Sequence, residues 1–269
     1  MSYIALNTAA TGMSASALSL DVTANNIANA NTSGFKSSRA NFEDLFYQEL
    51  AQPGLPAGNA VQRPTGLYVG LGTQISGTQL NFSQGPAEST GRTLDIMIEG
   101  DGFFQLVIPP DLGTGIGFTR AGNFTLNSEG SIVLANSPGY RLEPEIQIPP
   151  DAQEVSISQD GIVSGTLPGQ TEPAEFGQIT LARFVNPSGL KTVGNNVYIQ
   201  TAASGEPLEG QPTLEGIGGL RQGFLEASNV DPVTELVTLI KTQRTFEMNS
   251  QVIQAANETL QNVSNIRTF

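Results

Sequence analysis

The sequence predicts an α+β protein, with long N- and C-terminal helices forming a coiled-coil-like helical domain around a mainly antiparallel β middle region in one or two domains. Three observations carry this. Apolar residues recur at heptad spacing near both ends, short alternating runs of β-branched and aromatic residues fill the middle, and 30 Gly and 16 Pro punctuate those runs.

The first helix is written in Tyr3, Leu6, Ala10, Met13, Ala17, Leu20, Ala24 and Ile27, which follow a 3-4-3-4 spacing. Leu6, Met13, Leu20 and Ile27 are large rungs; Ala10, Ala17 and Ala24 are small and let another helix approach closely. Gly12 is the one strong dissenter, at a cost of about 1 kcal/mol relative to Ala. Asn29-Ala30-Asn31-Thr32-Ser33-Gly34 ends the helix, because Asn, Ser and Gly favour leaving it. Asn25, Asn26 and Asn29 either weaken that end or bond across subunits in a dry interface, where an unpaired amide costs about 1–3 kcal/mol. Gly34 supplies a backbone conformation closed to bulkier residues, and Phe35 beside Lys36 is an anchor in the adjoining domain.

From Gln52 to Gly66 neither the helix nor the strand pattern fits: Gln52, Pro53, Gly54, Pro56, Gly58 and Pro64 spell an extended loop. Further on, Leu94–Ile98 leads through Glu99-Gly100-Asp101-Gly102, a predicted hairpin turn, into Phe103–Ile108. Phe118-Thr119-Arg120 and Phe124-Thr125-Leu126 flank Ala121-Gly122-Asn123, and short runs centre on Ile132, Ile146, Val155, Ile162, Ile179 and Val197. The second helix opens at Asp231-Pro232, an N-cap followed by proline at the first helical position. Leu239, Phe246, Ile253 and Leu260 then recur every seven residues, flanked by Leu236, Ile240, Val252, Ala256, Val263 and Ile266.

Composition narrows the chemistry. The 269 residues include no His, Cys or Trp, which removes imidazole bases, thiolates, disulfides and the common zinc cages. With 12 Lys plus Arg against 25 Asp plus Glu, the net charge of −13 repels a phosphate backbone, so no nucleic-acid partner is expected. Neither a cleaved signal peptide nor a membrane span is expected, since the first basic residue is Lys36 and no apolar run is long enough. Residues 1–31 hold one charge, Asp21, a pattern poorly suited to a helix alone in water and too polar for lipid. Burial by copies of itself is the economical answer, leaving the acidic middle to face solvent. Asp95, Glu99 and Asp101 offer the carboxylate pair a glycosidase needs, but a solvated turn is the expectation. Gly100-Asp101-Gly102 and Gly216-Ile217-Gly218-Gly219 are turns rather than nucleotide loops. No catalytic, cofactor or metal site is expected.

Ala24-Asn25-Asn26-Ile27-Ala28-Asn29-Ala30-Asn31-Thr32-Ser33-Gly34-Phe35-Lys36 resembles the ANNLAN-x-x-T-x-GFK motif of bacterial flagellar rod and hook proteins. Four further blocks resemble the same family in order: Asp95–Phe104, Phe118–Phe124, Gln222–Val230 and Lys241–Glu247. Length and Gln52-Pro53-Gly54, which stands where the distal rod members open an extra loop, make the chain most similar to that branch; another rod protein or a hook subunit is the alternative, and a rod-associated peptidoglycan hydrolase a remote one. The resemblance implies a rigid, straight, hollow drive shaft that transmits motor torque to the hook and forms part of the export channel. Residues 1–31 and 232–269 would form its axial helical core, 32–90 and 200–231 an extended and β connecting domain with the rod-straightening loop 52–66, and 91–199 an outer β domain. Leu6, Ala10, Met13, Ala17, Leu20, Ala24, Asn25, Asn26, Ile27, Asn29, Leu239, Phe246, Ile253 and Leu260 would be the assembly interface. Implied partners are copies of itself, proximal rod proteins, the hook protein or hook-rod junction, the outer bushing rings and the type III export apparatus. The implied location is the basal-body rod, crossing the periplasm and the outer-membrane ring region.

Overall fold

The computed structural model describes residues 2–54, 64–113, 115–169 and 172–266. An N-terminal helix, a mainly antiparallel β middle and a C-terminal helix follow one another along the chain, as the sequence pattern predicts. The chain divides into two compact units. Unit 1 comprises Met1–Ala28, Ser38–Gln79 and Asp231–Phe269; unit 2 comprises Asn29–Ser37 and Leu80–Val230.

In unit 1, α1 (Ser2–Ala28) and α2 (Pro232–Ile266) pack against each other. The N-cap of α2 is made as its sequence dictates: the Asp231 carboxylate accepts the Thr234 hydroxyl at 2.7 Å and the Val233 amide at 3.0 Å. Between the helices in sequence lie β1 (Ser38–Asp44), β2 (Tyr47–Ala51), β3 (Leu67–Gly70) and β4 (Thr73–Leu80). β1 pairs β4 and β2 pairs β3. The Leu45 amide donates to the Gly72 carbonyl at 2.9 Å and the Leu71 amide to the Phe46 carbonyl at 3.1 Å, so the pairs continue into one two-stranded ribbon. Of the loop expected at its end, Gln52–Gly54 and Pro64–Gly66 lie outside strands, while Pro56 and Gly58 fall outside the described residues.

Unit 2 is built of short strands: β5 (Ala87–Ser89), β6 (Ile96–Glu99), β7 (Phe103–Val107), β8 (Ile116–Thr119), β9 (Phe124–Leu126), β10 (Ile132–Leu134), β11 (Arg141–Glu143) and β12 (Glu154–Ile157). β13 (Ile162–Thr166), β14 (Ala174–Gln178), β15 (Leu181–Arg183), β16 (Lys191–Gly194), β17 (Val197–Ile199), β18 (Leu208–Gly210), β19 (Gly219–Gln222) and β20 (Phe224–Glu226) complete it. The largest sheet runs β16-β17-β8-β7-β11-β10-β9, with β15 on β7 and β18 on β15. Strand β7 organises the core by period-2 alternation: Phe104 and Leu106 enter a cluster with Ile96, Ile98, Phe124 and Leu142, while Phe103 joins Phe118, Phe184 and Tyr198. Edge-to-face ring pairs fix the second cluster, Phe118 lying 4.7 Å and Phe103 5.8 Å from Phe184.

Three local expectations are corrected. Leu94–Ile98 and Phe103–Ile108 do not form a hairpin, since β6 pairs β19 whereas β7 pairs β8, β11 and β15. The reason is in the turn. Gly100 (φ 109°) and Gly102 (φ 147°) carry the chain from one sheet to another, and the Gly218 amide donates to the Asp101 carbonyl at 2.7 Å. Ile146 and Ile179 are buried outside strands, the Ile146 carbonyl accepting from the Ile132 amide. Asp95 is not solvated: it is only 1% exposed, although Glu99 and Asp101 are exposed.

Candidate functional site

Two features hold functional interest, one in each unit. Along α1 the most buried residues are Ala9, Ala15, Ser16, Thr23 and Asn26. Positions 9, 16 and 23 repeat every seven, one residue ahead of the expected column 10, 17 and 24, which is about 100° around the helix. In the expected seam Leu6, Met13, Ala17, Leu20, Ile27 and Asn29 are half-buried, whereas Ala10, Ala24 and Asn25 are exposed. On α2, Leu239, Ile253 and Leu260 are half-buried and Phe246 is exposed.

Gly12 is explained by this face. A Cβ there would lie 2.9 Å from the Asn249 side-chain nitrogen, so the residue that lowers helix propensity leaves room for a side chain of α2. Asn26 is held within unit 1. Its Nδ2 donates to the Ser38 carbonyl at 2.8 Å and to Glu235 Oε1 at 3.1 Å, and its Oδ1 accepts the Ser38 amide at 2.9 Å. The asparagine thus ties α1 to the start of β1 and the first turn of α2.

Much apolar surface of unit 1 has no cover in the single chain. Val233, Leu236, Val237, Ile240, Met248 and Val252 are exposed along α2, and Tyr3 and Leu18 along α1. On the ribbon Phe42, Phe46, Tyr47, Leu50, Leu67 and Tyr68 are exposed, Phe46 at 88%. Two strands alone are marginal in water, and a ribbon displaying six large apolar side chains calls for a neighbour.

In unit 2 the sequence motifs converge on a buried charged joint. Gly34 adopts φ 72° and its amide donates to the Glu226 carbonyl at 2.7 Å, while a Cβ there would meet the Ala121 nitrogen at 2.7 Å. Phe35 is half-buried. Lys36 is 1% exposed, its Nζ donating to Glu226 Oε1 at 2.6 Å and to the Ser83 carbonyl at 2.7 Å. Arg120 Nε stands 3.7 Å from Glu226 Oε2, and its Nη2 donates to the Gly100 carbonyl at 2.8 Å. Burial pulls the Lys36 ammonium below its usual range against the pull of Glu226, and lowers Arg120 likewise. Tyr198, beside this joint, is pushed up by burial and by the Glu226 carboxylate. Sequence reasoning singled out Lys36 but missed Arg120 and Glu226. Both lie inside the quoted motif blocks, yet one sequence carries no signal pairing positions 190 apart.

Three family profiles match successive parts of the chain: "Flagella basal body rod protein" over residues 6–36, "Flagellar hook protein FlgE/F/G D1 domain" over 97–165 and "Flagellar basal body rod FlgEFG protein C-terminal" over 221–266. The chain is 44% identical over 265 residues to the flagellar basal-body rod protein FlgG of Borreliella burgdorferi, covering 98% of both chains. The chain belongs to the flagellar basal-body rod protein family. Identity to the FlgG of Caulobacter vibrioides is 43% over 267 residues, covering 98% of this chain and 99% of that one. The FlgF rod protein of the same organism is 35% identical over 246 residues, covering 89% of this chain and 87% of its own length. Within the rod family the chain is therefore of the FlgG kind. The first profile spans the α1 seam and Gly34–Lys36; the last spans Glu226 and the α2 heptads.

Proposed function

We propose that this chain is a structural subunit of the distal flagellar rod that polymerises into a straight, hollow shaft, transmitting torque to the hook and forming part of the export channel. The observation that carries the polymer is the apolar surface of unit 1, displayed on helices and ribbon alike. In this assembly residues 1–31 and 232–269 pair as a coiled-coil-like core, and the expected seam, Leu6 to Ile27 with Leu239 to Leu260, meets other copies. Residues 32–90 with 200–231 connect that core to an outer domain of 91–199. Gln52, Pro53, Gly54, Pro56 and Pro64 belong to a loop that wedges between neighbours and blocks the sliding that curvature requires. Proximal rod proteins, the hook or its junction, the bushing rings and the export apparatus are the neighbours of such a subunit, in the basal body between periplasm and outer-membrane rings. No catalytic role is proposed.

Deleting residues 2–28 tests the core of this reading. Unit 2 begins at Asn29, so the truncated protein keeps its β circular-dichroism signal and cooperative melt but forms no rods. Normal rods from that protein would overturn the assembly role. Basal bodies from cells lacking the gene show a shortened rod without a hook by negative-stain electron microscopy; a full rod missing only its hook would move the assignment to the hook.

A further inference from the structure

Segment 29–37 lies in unit 2 although α1 before it and β1 after it lie in unit 1. It is held there by long-range bonds. The Gly34 amide donates to the Glu226 carbonyl at 2.7 Å, the Ser37 amide to Asn229 Oδ1 at 2.7 Å and Lys36 Nζ to Glu226 Oε1 at 2.6 Å. The charged members are chosen oddly for strength. Lys36 and Arg120 share one buried carboxylate, helped by the exposed Asp101 acting on Arg120. Among the described residues Glu226 Oε2 and Arg120 Nε and Nη1 have no hydrogen-bond partner. An apolar trio of similar volume would hold as well or better, because desolvating ions offsets most of their attraction.

Such a group suits order of closure. In water a Lys–Glu pair 190 residues apart gains almost nothing, and closing so long a loop costs entropy. The pair becomes strong only when its walls are already in place: Ser83, Arg120 and Gly85, whose amide donates to Glu226 Oε1 at 2.8 Å. We propose that Lys36, Glu226 and Arg120 form a closure lock: the β core of unit 2 stands complete with segment 29–37 undocked, and the segment following α1 is captured in a separate, later step. The lock goes beyond the rod assignment and depends only on unit 2.

Charge arithmetic makes the lock testable. Lys36→Met removes one of two cations and leaves the Arg120–Glu226 pair, so the core survives and only the segment is released. Glu226→Gln leaves two buried cations without their shared anion, so the core suffers too. Native-state hydrogen exchange on the full chain reads both. In Lys36→Met the Gly34 and Ser37 amides exchange about 10–10²-fold faster, the cost of losing a hydrogen bond to a charged group, while Phe104 and Leu106 in β7 are unchanged. In Glu226→Gln all four accelerate. Wild-type protein supplies a test free of folding failure: Gly34 and Ser37 exchange through an opening that requires less denaturant than that of Phe104 and Leu106. Equal protection of segment and core in the wild type, or equal acceleration of both in Lys36→Met, would overturn the lock.

Discussion

Gly34→Ala is the sharpest probe of how the chain leaves α1. Two costs add. The residue sits at φ 72°, where an L side chain is disfavoured by about 1–2 kcal/mol. A Cβ would also lie 2.7 Å from the Ala121 nitrogen, 2.8 Å from its Cα and 2.9 Å from the Arg120 carbonyl carbon. All three are backbone, so nothing yields by a rotamer change, and overpacking of this kind costs about 1–3 kcal/mol. The total is about 2–5 kcal/mol, and at about 2–4 °C per kcal/mol for a unit of this size Tm falls by about 4–20 °C. Gly91→Ala is the internal control, because Gly91 shares the conformation at φ 68° with nothing within 4 Å. It carries the conformational cost alone. Thermal unfolding followed by circular dichroism on both full-length variants separates the two terms. If Gly34→Ala is no more destabilising than Gly91→Ala, the close approach to Ala121 does not govern this position.

Gly12→Ala is expected to be nearly neutral, since the roughly 1 kcal/mol of helix propensity gained offsets displacing the Asn249 amide, which lies 2.9 Å from the new Cβ; Gly12→Leu instead forces α1 from α2, read as lost helical signal and lost assembly. Tyr198→Phe flattens the alkaline side of the stability profile. The folded Tyr198 keeps its proton above the ordinary phenol range of about 10, so its contribution is intact below that pH and is lost as pH rises toward the folded value; an unchanged alkaline slope in urea melts would refute this. Asp231→Ala lowers helix content at neutral pH. The Thr234 hydroxyl and Val233 amide hold the Asp231 carboxyl below its usual range, so wild type loses this contribution as pH falls below about 4 and the variant shows no such step in its far-UV titration.

The helices were legible because their signals are local. Asp231-Pro232 marks the start of α2, and Asn29 to Gly34 marks the end of α1, where the Thr32 amide bonds back to the Asn29 carbonyl at 3.1 Å. The face that α1 turns inward was not. Apolarity ranks Leu6 and Leu20 above Ser16, Thr23 and Asn26, yet small residues permit the approach of α2, and two of these side chains satisfy backbone groups: Ser16 its own Gly12 carbonyl at 2.7 Å, Asn26 both backbone groups of Ser38. Period alone fixes that a helix has a seam; side-chain volume and hydrogen bonding choose among seams 100° apart.

The same limit hid the strand pairing of the ribbon, whose region the sequence marks only as extended or β, and the joint. Strands β1 to β4 carry Glu43, Asp44, Glu49, Arg39 and several Gln among their aromatics, with exposure on both faces, so no period-2 apolar stripe announces them. That absence is itself informative. A stripe encodes a face buried within the chain, and a ribbon whose Phe42, Phe46, Tyr47, Leu50, Leu67 and Tyr68 all remain exposed has no such face to encode. Gly12 and Lys36, whose roles a single sequence leaves open, take their constraint from a chain segment far away, Asn249 and Glu226; Gly34, whose left-handed turn the sequence does disclose, is further confined by Ala121. Distance along the chain, rather than chemical subtlety, separates what the residues of α1 and α2 disclose from what they conceal.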